Sequence, residues 1–303
     1  MHRDLAVEVP ANPWARVWPW SAPVMADPSP VARSSLLKEG IVALLRGEWA
    51  SIGDLLEDLS DEEWALPALP GWDVHDVVAH LVGTERMLAG DSTPEVPPET
   101  TDLPHVRNDI AHMNEAWVVE LRARTHADLR DEFLTVTAAR LDALEAMDGA
   151  DFESPSWTPV GPGTYGRFME IRAFDCWMHE QDIRDVTGRP GNEEGPAAEQ
   201  ALDEVARGLG YIVGKRVGAP DGSSVTIHLT GPLHRALHVA VDGRAAVVEA
   251  LPAAPTAEIA LGSSLFLRLV GGRVPPEEAL DRVILGGDQD LARRLATELA
   301  FTI

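Results

Sequence analysis

The sequence predicts an α+β protein in which an N-terminal four-helix bundle is followed by a small α+β domain. Three observations predict it. The 303 residues suggest roughly two domains, and an apolar fraction of 45% is enough to fill their cores. Up to Pro190 the apolar positions recur at the three- and four-residue spacing of helices. Beyond it, alternating segments appear: SVTIHLT (Ser224 to Thr230) and ALHVAV (Ala236 to Val241) read as strands around a Gly231-Pro232 turn.

Each element follows from its local pattern. Residues 1–30, rich in proline and tryptophan without periodicity, read as a tail. From Val31 to Leu59 the positions Leu36, Leu37, Ile41, Leu44, Leu45, Trp49, Ile52, Leu55 and Leu56 mark an amphipathic helix. The PALPGW segment breaks the chain. Asp73 then caps a helix running to about Ala89, with a stripe of Val74, Val77, Val78, Leu81, Val82 and Leu88. A Pro- and Thr-rich linker, Ser92 to Pro104, precedes helical patterns over about Val106 to His126 and Asp128 to Met147. DFESPSWTPVGPGTYG has the composition of a loop. The proline-free run from Gly166 to Gly188 is one long helix, closed by Gly188 and stopped by Pro190. The bundle thus occupies residues 31–190. A connecting segment, 191–214, holds a helix over Ala197 to Gly210. The small domain, 215–303, adds strands at Ala245 to Ala250 and Ala257 to Leu261 and helices at Ser263 to Val270 and Asp288 to Leu299.

Composition narrows the function. A net charge of -24 argues against a nucleic-acid or anionic-membrane partner, because phosphate binding needs clustered Lys and Arg. No run of 18 apolar residues is present, and the N-terminus lacks a signal-peptide core, so a cytoplasmic location is expected. The single cysteine, Cys176, excludes an intramolecular disulfide and reads as a small packing residue. Gly-rich nucleotide loops, H-E-x-x-H and C-x-x-C are all absent.

The chemistry concentrates on the long helix. Winding it at about 100° per residue places Asp175, His179 and Asp182 within roughly 60° of one another, beside Phe168, Ile171 and Val186. Glu170, Glu180, Gln181 and Arg184 fall opposite and read as the solvated face. Two carboxylates and an imidazole therefore point inward, where unpaired charge is costly, and a metal ion compensates them most economically. Asp175 and His179, at i and i+4, are close enough to hold one ion, with a third ligand from another element. A buried Asp-His pair serving only the core fits the same spacing. His80, about 125° from its helix's apolar stripe, reads by position alone as solvated. His105, His112, His234 and His238 read as surface histidines, and Trp157 and Trp177 as packing or pocket-lining residues.

Two segments, GWDVHDVVAHLVGTERML and FDCWMHEQDIRDVTGRPG, together resemble the mycothiol-dependent maleylpyruvate isomerase family, a branch of the DinB-like metal-binding bundles. RVILGGDQDLARRLATELAFTI is similar to that family's second domain, of sterol-carrier-protein-like fold. The resemblance implies His80, Asp175 and His179 as ligands of a divalent metal ion, expected to be zinc. It implies Asp182 as an acidic position in catalysis and mycothiol as the thiol cofactor. The expected activity is isomerisation or S-transfer on a small electrophilic substrate. The chain departs from the family's pattern at Asp175, where the isomerase has glutamate. The family's second-domain arginine has four candidates here, Arg235, Arg244, Arg268 and Arg273. A non-enzymatic metal or small-ligand binding protein of the DinB-like superfamily is the alternative reading.

Overall fold

A computed structural model describes residues 33–300, so the expected tail over residues 1–30 lies outside the described residues. The elements run in the order α1 (Lys38–Glu57), α2 (Asp61–Trp64), β1 (Pro67–Leu69), β2 (Trp72–Asp73), α3 (Val74–Leu88), α4 (Asp109–Leu121), α5 (His126–Ala146), α6 (Gly149–Phe152), β3 (Pro155–Thr158), β4 (Gly161–Thr164), α7 (Tyr165–Thr187), α8 (Pro196–Tyr211), β5 (Ser224–Thr230), β6 (Arg235–Asp242), β7 (Arg244–Val248), β8 (Ala257–Gly262), α9 (Ser263–Val270), α10 (Pro276–Ala279), β9 (Ile284–Gly287) and α11 (Gln289–Thr297). This is a helical bundle followed by a mixed α+β domain, the expected fold class. Among the described residues no helix is long and apolar enough to cross a membrane.

The chain forms two compact units, one from Leu55 to Met147 and the other joining Arg33–Asp54 to the chain from Asp148 onward. In the first, α3 packs on α4 and α5. Asp73 caps α3 by accepting the Asp76 N–H at 2.9 Å. The stripe that predicts this helix, Val74, Val77, Val78, Leu81, Val82 and Leu88, is buried with Trp117, Val118, Leu121, Leu129, Phe133 and Leu144. Gly83 lets the helices close, since a Cβ there would fall 2.4 Å from the Trp117 side chain. A buried Arg140–Glu85 ion pair at 3.1 Å also ties α5 to α3.

In the second unit the sheet order is β7-β6-β5-β8-β9, antiparallel throughout except for the parallel β5–β8 pair. Val225, Ile227 and Leu229 of β5 alternate into a core that contains Ile259 and Leu261 of β8, Leu202, Val205 and Leu209 of α8, Phe266 of α9 and Leu291 and Leu295 of α11. Trp177 and Met178 of α7 belong to that same core, so the long helix is built into the α+β domain.

Several expectations need correction. The first helix begins at Lys38 rather than Val31. Leu37 stands outside it, 81% exposed, because Glu170 Oε1 holds the preceding segment, accepting from Ser34 Oγ (2.8 Å), Ser35 N (2.8 Å), Ser35 Oγ (2.9 Å) and Leu36 N (3.1 Å). α5 starts before Asp128, with Thr125 as its cap. The proline-rich stretch before α7 is a β3–β4 hairpin, in which Gly161 takes φ 108° beyond the reach of most side chains. PALPGW likewise folds into the short β1–β2 pair, and β9, for which no element was expected, is the sheet's last strand.

The largest correction concerns α7. Glu170, Glu180 and Gln181 are buried and Arg184 half-buried. Their charge does not put them in water because each acid has dedicated partners. Glu170 has the donors just named and Arg207 at 3.2 Å. Glu180 accepts from Ser51 Oγ at 2.6 Å, Arg184 Nε at 2.7 Å and Asn192 Nδ2 at 2.5 Å. Glu48, 1% exposed, sits beside Glu180 and accepts from Asn192 at 3.1 Å. Burial, then the Glu180 charge, push the Glu48 carboxyl well above the ordinary glutamate value.

This has a pH consequence. A folded-state value above the unfolded one, about 4.3 for glutamate, gives stability that is complete below that pH and lost as pH rises toward the folded value. Denaturant titrations of wild type and Glu48→Gln at pH 5 and pH 8 are expected to show a gap, in favour of the variant, that widens with pH. A constant gap contradicts the raised value of the Glu48 carboxyl.

Candidate metal centre

Three of the four predicted site residues sit on α7, whose geometry is fixed at both ends. Thr164 caps it by accepting the Arg167 N–H at 3.2 Å, and Gly188 closes it in the left-handed region at φ 65°. Asp175 and His179 stand one turn apart, with His179 Nε2 at 3.6 Å from Asp175 Oδ1. On its other side His179 Nδ1 is 3.1 Å from Asp182 Oδ2.

Asp182 is fully buried and saturated with donors. Its Oδ1 accepts from Arg268 Nη1 at 2.8 Å and Arg273 Nε at 3.1 Å, and its Oδ2 from Arg273 Nη2 at 3.0 Å. Burial alone would raise this carboxyl. The hydrogen bond from His179 and the Arg273 charge outweigh burial and hold it below the ordinary aspartate range. An ionised Asp182 only accepts, so His179 Nδ1–H donates to it, and Nε2 is the nitrogen turned toward Asp175. Arg268 also pairs with Asp185 at 2.6 Å. Burial still leaves the Asp185 carboxyl raised, with Asp182 and Glu193 adding to the effect against Arg268.

Asp175 is the least enclosed of the group, with a side chain 36% exposed, and it pairs with the buried Arg172. Nothing in the sequence spacing singled out Arg172, since an i,i+3 Arg–Asp pair on a helix is commonplace at the surface. Of the four candidate arginines, Arg268 and Arg273 reach Asp182, whereas Arg235 pairs with Asp203 and Arg244 lies exposed on β7.

His80 is 4% exposed, not solvated as its helix position alone suggests. Its flank of α3 is covered as well. Asp76 is clasped by Arg122, with Nε at 2.9 Å and Nη2 at 3.0 Å, and Gly83 lies under Trp117. The Trp72 ring packs on the His80 ring with centroids 5.4 Å apart. Asp175 and His179 offer a carboxylate and an imidazole from α7, and His80 offers an imidazole from α3. Two imidazoles and a carboxylate are an ordinary donor set for a divalent ion such as zinc, whose bonds to them are about 2.0–2.2 Å. The residues present therefore fit a metal.

The other histidines stay apart from this group. His105 bonds Glu115 at 3.1 Å, His112 and His234 are exposed, and His238 bonds Thr226 at 2.9 Å. Trp177 is buried with its Nε1 donating to the Asn192 carbonyl at 2.8 Å, a packing role, while Trp157 meets Phe168 edge-on.

Asp182→Ala strands Arg273, 15% exposed, leaves Arg268 with Asp185 alone, and removes the partner of His179. Leaving buried charge uncompensated is expected to cost about 3–5 kcal/mol, read by denaturant unfolding. A loss under about 1 kcal/mol, the range of exposed pairs, would contradict the geometry described.

The comparisons with known proteins bear on the family and the fold. The family model for the mycothiol maleylpyruvate isomerase N-terminal domain matches residues 45–184. That for the MDMPI C-terminal domain matches residues 199–294. A solved mycothiol-dependent maleylpyruvate isomerase aligns over 83% of this chain and 93% of its own, at TM-score 0.52 and 18% identity. A histidine-to-alanine mutant of that isomerase aligns over the same shares at TM-score 0.51 and 17% identity. At such identity the likeness speaks for the fold alone. The apo form of Sterol Carrier Protein 2 from Yarrowia lipolytica covers 33% of this chain at TM-score 0.26 and 10% identity, too low to carry weight. No curated protein matches the sequence. With both of its domains matched in order over most of its length, the chain belongs to the mycothiol maleylpyruvate isomerase family.

Proposed function

We propose that this protein is a metal-dependent enzyme that uses mycothiol, activating the thiol for isomerisation or S-transfer on a small electrophilic substrate. His80, Asp175 and His179 are its metal ligands, and zinc is the ion its donor set suits best. Residues 31–190 supply the metal-binding part and 215–303 the second domain. The observation that carries the reading is the state of His179. Buried Asp182 lies 3.1 Å from its Nδ1, and its Nε2 is turned toward Asp175, 3.6 Å from Oδ1.

A zinc ion held there supplies Lewis acidity that keeps a thiol deprotonated at neutral pH. The chain's own part is to orient and to hold charge. Asp182 acts through His179 as a positioning residue, and Arg268 and Arg273 keep Asp182 ionised, which makes them our assignment for the family's second-domain arginine. Asp175 bears a side chain one methylene shorter than glutamate, and Arg172 steers its carboxylate. The near absence of cysteine, a single buried Cys176, fits a nucleophile that arrives with the cofactor. The thiol would supply a nucleophile for reversible addition to an activated cis double bond, which permits cis-to-trans isomerisation, or for S-transfer to an electrophilic carbon.

His179→Ala is expected to abolish stoichiometric zinc by elemental analysis, and a chelator is expected to lower the melting temperature of the wild type but not of the variant. Unchanged metal in the variant rejects the ligand set. Incubating the zinc-loaded wild type with mycothiol and either maleylpyruvate or a panel of electrophiles is expected to yield isomerised product or thioether. Persistent absence of both rejects the enzymatic reading.

A further inference from the structure

The segment Gly71-Trp72-Asp73 and the start of α3 contain a closed ring of interactions that the metal ligation itself does not use. It begins and ends on α3. Asp76, one turn before His80, is clasped by Arg122 at 2.9 and 3.0 Å. Arg122 Nη2 also reaches Glu115 Oε1 at 3.2 Å. Glu115, wholly buried on α4, accepts the Trp72 indole Nε1–H on Oε2 at 2.7 Å, and the same oxygen meets His105 Nε2 at 3.1 Å. The Trp72 ring, held at its far edge, lies against His80 at a 33° tilt. Gly71 completes the arrangement, since its φ is 84° and a Cβ on it would fall 2.4 Å from the His105 ring.

We infer that Trp72, anchored by Glu115, is a positioning residue that fixes the His80 ring for metal ligation; this rests on the reading of His80 as a ligand. Packing alone is a poor account of the ring. A buried carboxylate with three polar partners is weak as a source of stability, and apolar side chains of similar volume would fill the space as well. What such a network does supply is a single orientation for the groups it holds. His80 lies off the apolar stripe of α3, and the Trp72 ring is one of the surfaces packed on it. Asp76 and His80 stand one turn apart on α3, and the Trp72 ring reaches His80 from the strand just before the helix.

The test is zinc affinity, measured by competition with a chromophoric chelator, for wild type, Trp72→Ala, Trp72→Phe and Glu115→Gln, with Leu144→Ala as a variant weakened in the core away from the ring. Removing such an outer partner is expected to weaken zinc binding roughly 10- to 100-fold in Trp72→Ala. Trp72→Phe, which keeps a stacked ring but has no indole N–H, is expected to fall between it and wild type. Glu115→Gln retains an acceptor for the indole and is expected to stay nearest wild type. Leu144→Ala is expected to melt at lower temperature with unchanged zinc affinity. Should Trp72→Ala not fold, Trp72→Phe against Glu115→Gln decides the matter. Wild-type affinity in the folded Trp72 variants overturns the positioning role while leaving the ligand set standing. Failure of the wild type itself to bind zinc overturns both.

Discussion

Asp182 presents two oxygens, buried without solvent contact, to one imidazole N–H and two guanidinium groups. Much of the candidate centre depends on that arrangement. A buried carboxylate without donors would take up a proton and release its neighbours. With these donors it stays ionised, fixes the tautomer of His179 and draws Arg268 of α9 and the nearby Arg273 onto α7. The charge balance is local. One acid at the centre, one imidazole and two arginines leave the other His179 nitrogen directed away from Asp182.

The same logic runs the length of α7. A helix buried on nearly every side should be apolar all round, yet this one carries Arg167, Glu170, Arg172, Glu180 and Asp182 inside. Each is met by a specific partner. Arg167 reaches Glu204 through two bonds of 2.6 Å, Glu170 caps the approach to α1, and Glu180 gathers Ser51, Arg184 and Asn192. Asn192 takes the left-handed backbone at φ 53°, unusual for a side-chain-bearing residue, and its amide bonds both Glu48 and Glu180. The structure thus uses buried charge to set the position and rotation of α7, and with them the direction of Asp175 and His179. Hydrophobic burial supplies the bulk of the driving force through the sheet core, into which Trp177 and Met178 are packed.

How much of this was legible in the sequence follows from what each signal measures. Periodicity and caps identified α3, α7, α9 and the β5 and β6 strands, because local propensity and burial agree there: Asp73, Gly188 and Asp288 do in the structure what their side chains or backbone freedom suggest. The clustering of Asp175, His179 and Asp182 on one face of α7 was legible for the same reason, since helical geometry alone dictates it. What failed was the inference from charge to solvent. Glu170, Glu180 and Gln181 look like an outer face until their partners are known, and several of these lie far along the chain, Ser34 to Leu36 at 134 to 136 residues from Glu170 and Ser51 at 129 from Glu180. Spacing within one helix contains no such information. His80 was misleading in the same way, because its cover comes from Trp72, which precedes the helix, and from a flank closed by Arg122. The hairpin of β3 and β4 was hidden by its glycine and proline content, which suits tight strands at a turn as well as a loop.

The most direct test of the central claim is zinc-edge X-ray absorption of the protein loaded with one equivalent of zinc, before and after adding mycothiol. The account predicts a first shell of nitrogen and oxygen at about 2.0–2.2 Å with the multiple-scattering signature of two imidazoles, gaining one sulfur at about 2.3 Å when the thiol is present. A shell without imidazole scattering, or one to which the thiol adds no sulfur, would contradict it.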